Sequence, residues 1–548
     1  MEDQNNLSDN QAAFRPGRST ADHLFTMRSI VNRYLRLHKK NLYCCFVDFS
    51  RAFDSVWRDG LFYKLLKLDV SGKFYNVIKN MYSNYVTSVK LPQGVTDSFV
   101  TNTGIRQGDS LSPLLFCLFI DDIKNLFDQD DDPCSVGNLQ LSHLLYADDL
   151  ILISESQQGL RNSINKLSAY CNRWNLKINM AKTKILVFTP SGRIPKRLGT
   201  FKVGDGELEI VQSYKYLGVT IASNGSFGKG IQELVQKGRK AWYSLRSSVQ
   251  IYLVNNPKLM LKLFDAMVKP IILYGAEVWS QEFYDVFNKC DHTEAKCDAV
   301  PYEMLHNQIC KQILGLGKST TNLGARVELG RSPLSIHVIK STLDYWLKLQ
   351  KSKDDSILKQ CLTSEMELSE KNVKSWFSNV KLMQQRYMGA DSSGPLACSK
   401  ASTRMAVVAL ADTYSRQSLD ALSKGRKDGQ GSKLRTYAKL KHSVHMESYL
   451  LDNHISWKQK RTIAKFRLSD HRLRIEKGRH SRPRLPVEQR LCLLCNTHSV
   501  EDEAHFLIVG LCPLYSCLRV KYDINDIDQA DSLTGFVKVM SANNHIAW

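Results

Sequence analysis

Three aspartates sit where a charge is costly. Asp48 ends the apolar run Leu42-Tyr43-Cys44-Cys45-Phe46-Val47, and Asp148-Asp149 lie between two more apolar runs, Leu144–Tyr146 and Leu150–Ser154. Like charges beside a buried hairpin repel, and a divalent cation would remove that cost. Asp48 and Asp148 together could hold two magnesium ions about 3.5–4 Å apart, an arrangement that clamps the attacking and leaving oxygens of an in-line phosphoryl transfer. The plain alternative is a solvent-facing acidic turn. A second constellation is Cys492-x2-Cys495-x9-His505-x6-Cys512, four soft ligands opening on a Cys-x2-Cys knuckle, as tetrahedral zinc requires. Cys517 and His498 are substitutes for its last two ligands. Cys290-x-His292-x4-Cys297 is looser and lacks a fourth ligand, so no metal is expected there.

These residues need elements to hold them. Leu42–Val47 reads as a buried strand and Leu61–Leu68 as an apolar helix. Ser112-Pro113 reads as a helix start, a capping side chain followed by a proline, with the helix running to about Phe127. The runs on either side of Ala147-Asp148-Asp149 read as a hairpin. Residues 158–175 read as a helix, and Ile185–Phe188 and Tyr216–Ile221 as strands. Beyond Gly230 the pattern turns helical, at 231–252, 257–269, 301–316 and 334–352. Breaks fall at Asp128–Pro133, Thr189–Gly199, Ser223–Gly230, Gly389–Gly394 and Gly425–Ser432. The order is a mixed α/β unit, a helical unit, then a basic helical tail.

Composition bounds the partners. At 548 residues the chain has room for about three to four domains. It carries a net charge of +21, and the stretch Lys433–Arg490 holds 16 basic and 5 acidic residues, about half of that excess. Such a stretch attracts polyanions and releases counterions from a nucleic-acid backbone. No apolar run approaches the roughly 18 residues of a membrane span. The start MEDQNNLSDNQ shows no secretory leader, so a membrane or secreted protein is not expected. The fourteen cysteines sit mostly singly in apolar runs, which suits reduced thiols inside a cell.

The runs FVDFSRAFDSVW (46–57), GIRQGDSLSPLLFCLFIDDI (104–123) and LLYADDLILIS (144–154) resemble motifs A, B and C of reverse transcriptases. The resemblance is to the polymerase of non-LTR (LINE-type) retrotransposons. QAAFRPGRSTADHLF (11–25), NLKINMAKTKILVF (175–188) and YKYLGVTI (214–221) resemble that family's last fingers block, motif D and motif E. CKQILGLGKSTTNLGARVELGRSPL (310–334) resembles its thumb region, and the Cys-Cys-His-Cys element with its basic approach resembles its C-terminal tail.

The resemblance implies an α+β right-hand polymerase. Partial fingers are expected at 1–40, a palm with a ferredoxin-like core at 41–222 and an α-helical thumb at 223–352. A helical basic linker or tail would follow at 353–485, a zinc-knuckle-like module at 486–520 and a C-terminal tail at 521–548. Asp48 and Asp148 become metal ligands with the Phe49 carbonyl, and Asp149 the second acid of the hairpin, structural or outer-sphere. Phe53 would lie under the incoming sugar and exclude a 2′-hydroxyl by bulk. Gln107 and Gly108 would meet the nucleotide or template, and Arg106 a phosphate. Lys182 would approach the pyrophosphate as general acid, with Lys184 competing for that role. Leu217-Gly218 would turn the chain to position the primer end. The implied reaction is RNA-templated DNA synthesis from dNTPs on a DNA primer or target, with two Mg2+ ions, a Zn2+ ion in the tail and no obligate protein partner. Location would be intracellular, in cytoplasm and nucleus, inferred from what such an enzyme must reach.

Measured against that family, the sequence opens at the last fingers block. Arg15 and Arg18 are present while earlier basic residues that grip a triphosphate are not, so a truncated gene model or a decayed element is expected, with autonomous activity in question. An upstream endonuclease and an RNase H pattern are not seen. The alternatives are a remnant that binds nucleic acid without polymerising and a maturase-like protein of group II introns, which should carry a splicing domain.

Overall fold

The computed structural model describes residues 7–83, 85–249, 255–283, 285–286, 295–388, 399–423, 434, 437–438, 441–507 and 512. The expected tail at 521–548, Cys290, His292, Cys517 and the breaks at 389–394 and 425–432 lie outside the described residues.

The central sheet is built from the apolar runs. Its strands are β1 (Leu42–Val47), β2 (His143–Tyr146), β3 (Asp149–Ser154), β4 (Lys184–Phe188) and β5 (Glu209–Ile210), in the order β5–β4–β1–β3–β2. β1 is antiparallel to both β3 and β4, and only the short β5 runs parallel to its neighbour. A hairpin follows, β6 (Ser213–Tyr216) with β7 (Val219–Ala222). Among the helices are α1 (Thr20–Asn32), α2 (Arg58–Lys67), α3 (Gly72–Tyr82), α4 (Ser112–Ile120), α5 (Gln157–Arg173), α6 (Gly228–Ser248), α7 (Pro301–Leu314), α8 (Ser335–Gln350), α9 (Ile357–Glu370), α10 (Lys400–Ser423) and α11 (Trp457–Arg467).

Both faces of the sheet are buried, which is why its strands are nearly continuous in apolar residues rather than alternating. Cys45 and Val47 face one way, onto α2, α4 and α5 through Leu61, Phe116 and Ile164. Cys44 and Phe46 face the other way, onto α1 through Leu24, Phe25 and Met27. The second core continues without a break through Trp242 of α6, Ile309 of α7, Leu343 of α8, Cys361 of α9, Tyr414 of α10 and Ile463 of α11. None of the described cysteines is in a disulfide. Among the described residues no helix is long and apolar enough to cross a membrane.

Four expectations change. Residues 353–485 are not a linker where they are described: Leu358, Cys361, Trp376, Tyr414 and Ile463 are buried in the shared core. The N-terminal segment is also central, because α1 lies between the sheet and α9, where Ser29 Oγ donates to the Cys361 carbonyl at 3.0 Å. Ser112 does not cap its helix. Leu111 holds the N-cap position, and the buried Ser112 hydroxyl pairs with the Tyr82 hydroxyl at 3.2 Å. That helix stops at Ile120 and tightens into a 3-10 turn over Asp121–Leu126. There Asp121 accepts from the Ser8 amide and Asp122 from Lys64, so both carboxylates are held to neighbouring segments.

Candidate active site

Strand register brings the aspartates together. Val47 pairs with Leu150 across β1 and β3, so one step further along Asp48 lies opposite Asp149. Neighbouring strands are about 4.8 Å apart, which makes the carboxylates near neighbours. The β2–β3 hairpin closes on the pair Tyr146 and Asp149, leaving Ala147 and Asp148 as a two-residue turn. Ala147 takes a left-handed backbone, φ +56°, costly for a residue with a Cβ. The buried side chain of Gln11 holds it there. Gln11 Oε1 accepts from the Ala147 amide at 3.1 Å and from the Ala13 amide at 2.9 Å.

A second segment closes around Asp48. The Asp48 carbonyl accepts from the Asn179 amide at 2.8 Å, and the Ser50 amide donates to the Lys177 carbonyl at 2.7 Å. The Asp48 amide donates to Thr183 Oγ1 at 3.2 Å. Asn179 Nδ2 donates to Asp48 Oδ2 at 3.0 Å. Lys182, whose side chain is 69% exposed, brings Nζ to 3.7 Å from the same oxygen. Lys184 is committed elsewhere, with Nζ 2.6 Å from Glu209 Oε2, so of the two competing lysines only Lys182 lies beside the aspartates.

Asp48, Phe49, Phe53, Gln107, Asp148 and Lys182 line one cleft of about 520 Å³. The Phe53 ring stacks on Phe116, with centroids 4.7 Å apart and planes at 17°. The Phe53 carbonyl accepts from the Ile105 amide at 2.9 Å, and Gln107 Nε2 donates to Asp54 Oδ1 at 2.8 Å. The turn after β1 and the segment before α4 are thereby tied together. Gly108 has φ +86° and nothing within 4 Å of where a Cβ would stand, so conformation rather than crowding calls for glycine. Arg106 is not brought to the cleft. It donates to the Met81 carbonyl at 2.5 Å and lies 4.5 Å from the Tyr85 ring centroid.

Leu217 and Gly218, at φ +43° and +87°, form the turn of the β6–β7 hairpin, so Tyr216–Ile221 is not one strand. Tyr274 donates to the Leu217 carbonyl at 3.1 Å. Tyr214 stacks on Phe46, two residues before Asp48, at 4.4 Å.

Electrostatics record the crowding of acids. Burial, then the Asp48 charge, raises the Asp148 pKa, against a smaller opposing effect of Lys182. Asp149 is pushed up to about 6 by burial, then by Asp148 and Asp48. The cluster favours positive charge. Asp48 Oδ1 has no hydrogen-bond partner among the described residues, so an oxygen is open to a hard cation.

The cysteine cluster also converges. The ligand atoms of Cys492, Cys495, His505 and Cys512 all lie within 4.8 Å of one another. The Leu491–Val500 bridge closes the knuckle, and the Cys492 amide donates to the Ser499 carbonyl at 2.9 Å. The buried His505 Nδ1 has no hydrogen-bond partner among the described residues. Four soft donors at this spacing suit a tetrahedral ion. His498 is exposed and outside the group.

Sequence reasoning missed Gln11 and Asn179. Both lie inside blocks quoted above, but an amide without charge carries no signal until its partner is known.

Residues 1–221 match the family described as reverse transcriptase (RNA-dependent DNA polymerase). A probable RNA-directed DNA polymerase from transposon BS of Drosophila melanogaster is 28% identical over 288 residues, 50% of this chain and 30% of the relative. The Pol polyprotein of the type-2 retrotransposable element R2DM of Drosophila melanogaster is 29% identical over 229 residues, 40% of this chain and 21% of its own. The chain thus spans under a third of the length of these curated relatives. Telomerase from Candida albicans in complex with a fragment of telomeric RNA aligns over 64% of this chain and 55% of its own, at 13% identity and a TM-score of 0.31.

Proposed function

We propose that the chain, whose residues 1–221 match the reverse transcriptase family and resemble polymerases of non-LTR retrotransposons, is an RNA-directed DNA polymerase that extends a DNA primer from dNTPs. One observation carries the proposal: antiparallel register sets Asp48 beside the Asp148-Asp149 turn, in a cleft shared with Phe53, Gln107 and Lys182.

Asp48 and Asp148 are the residues to hold divalent ions. Bound there, two Mg2+ ions supply charge to the attacking 3′-oxygen and to the leaving oxygen. The protein's own work is placement. Gln11 holds the Ala147–Asp148 turn, and the 177–183 segment holds Asp48. Phe53, backed by Phe116, presents a flat ring where a ribose 2′-hydroxyl would collide. Gln107 offers an amide to the base pair or template. Lys182 extends an exposed ammonium beside the acids, where it can donate a proton to departing pyrophosphate. The β6–β7 turn at Leu217-Gly218 is the primer-positioning element.

Strand order β4–β1–β3–β2, with helical crossovers from β1 to β2 and from β3 to β4, supports reading 41–222 as a palm with a split βαβ core. The helices that follow support a thumb at 223–352, and the Cys-Cys-His-Cys cluster supports a zinc module at 486–520. A cleft of about 610 Å³ between the loop after α7 and the module's approach is lined by Lys465, Arg472, Lys477 and His480, beside Asp470 and Glu476. Its basic residues favour template RNA or target DNA as occupant.

Primer extension on an RNA template with Mg2+ tests the reading, comparing the chain with Asp148→Asn. Extension by the parent chain alone supports it. Binding without extension by either protein would leave a nucleic-acid binder and no polymerase.

A further inference from the structure

We propose that Asn179 is a positioning residue for the candidate metal site, its side-chain amide fixing the Asp48 carboxylate so that one oxygen is held by the protein and the other is left for a cation. The inference rests on the two-metal reading above.

Asp48 sits one residue past its strand, with a side chain 29% exposed. A carboxylate there turns easily, because its terminal torsion has a broad profile. Asn179 Nδ2 meets Oδ2 at 3.0 Å, while Oδ1 has no hydrogen-bond partner among the described residues. A neutral donor suits this position. An arginine there would hold the carboxylate but cancel the charge that attracts the ion. Lys182, the cation nearby, meets the same Oδ2 and is mostly in solvent.

The side chain adds one long bond to the loop, Asn179 Oδ1 accepting from the Lys182 amide at 3.4 Å, but backbone bonds carry the loop. The Asn179 amide already donates to the Asp48 carbonyl at 2.8 Å, and the Thr183 amide to the Asn179 carbonyl at 2.8 Å. Those backbone bonds survive any side-chain change. The same residue also sets the candidate proton donor, since the Lys182 amide donates to the Asn179 carbonyl at 3.2 Å. One residue therefore registers the metal ligand against the lysine.

The test is a titration of the zinc-saturated full chain with Mn2+, without nucleic acid or dNTP, read by loss of the free Mn2+ spin-resonance signal. Asp148→Asn marks the site. Asn179→Leu keeps the bulk and loses the donor, and Asn179→Ala serves if the larger side chain disturbs folding. Hydrogen-bonded partners of metal ligands are commonly worth 10–100-fold in affinity, so both Asn179 variants should bind Mn2+ about tenfold more weakly, with melting temperatures near the parent's. Parental affinity in a folded Asn179 variant, with binding lost in Asp148→Asn, overturns the role of Asn179 alone. A parent chain with no Mn2+ site sensitive to Asp148→Asn overturns the metal reading and this inference with it.

Discussion

At the scale of single residues, function and stability pull against each other. Asp148 is disfavoured as a carboxylate by burial and by Asp48, so neutralising it relieves the metal-free protein. Asp148→Asn should leave the melting temperature at neutral pH without divalent ions equal to or above the parent's. Primer extension should fall by about a thousandfold or more, the loss expected when several kcal/mol of charge stabilisation leave the transition state. A melting temperature well below the parent's would mean that Asp148 supports the turn rather than the chemistry. Phe53 invites a separate test. Its ring is braced by Phe116, so trimming it with Phe53→Val should open space without moving the backbone. A single methylene group of pocket volume is worth roughly tenfold or more in selectivity, so rNTP use relative to dNTP use should rise by at least that factor in a competition assay. Unchanged selectivity would return Phe53 to the ordinary core.

At the scale of elements, the β2–β3 hairpin is the part that must not drift. Its first strand begins with His143, a buried imidazole whose Nδ1 meets Ser142 Oγ at 3.0 Å and whose Nε2 has no hydrogen-bond partner among the described residues. Burial lowers its pKa from 6.5 to about 4. Between those values the unfolded chain takes up a proton that the folded hairpin refuses, so stability falls as pH falls from 6.5 towards 4. Two and a half pH units at 1.36 kcal/mol each give on the order of 3 kcal/mol for this one group. His143→Gln should flatten the acid side of a melting temperature against pH profile. An equally steep profile in that variant would mean that another group sets the acid limit. The strands, the capped α5 and most helix positions were legible, because apolar runs and helical periodicity are local signals. The β6–β7 hairpin was less so, since its turn uses Leu217 at φ +43°, a residue that no turn preference favours.

At the scale of the whole molecule, the chain is bound together by a core that no boundary drawn on sequence respects. Apolar residues of α1 near the start and α11 near the end belong to one cluster. The family resemblance implied a helical basic linker or tail at 353–485, yet α9, α10 and α11 each place apolar residues in this cluster. The Cys-Cys-His-Cys module is tied to this body through Glu503, which accepts from Ser469 and pairs with His471 at 2.8 Å. Cys492→Ser should therefore release one zinc per chain, measured by metal analysis of the purified protein, and weaken nucleic-acid binding with it. Unchanged zinc content would sink the assignment of the four ligands.

The sequence by itself determined the chemistry on offer: which carboxylates, which soft ligands, and the apolar strands that end in them. Those follow from residue type and short-range spacing. Only the tertiary structure decided which groups meet. Asp48 and Asp149 are about a hundred residues apart in the chain, and β1–β3 register makes them neighbours. The clamps Gln11 and Asn179, the choice of Lys182 over Lys184, and the turning away of Arg106 depend on long-range packing, which no local pattern of residues encodes.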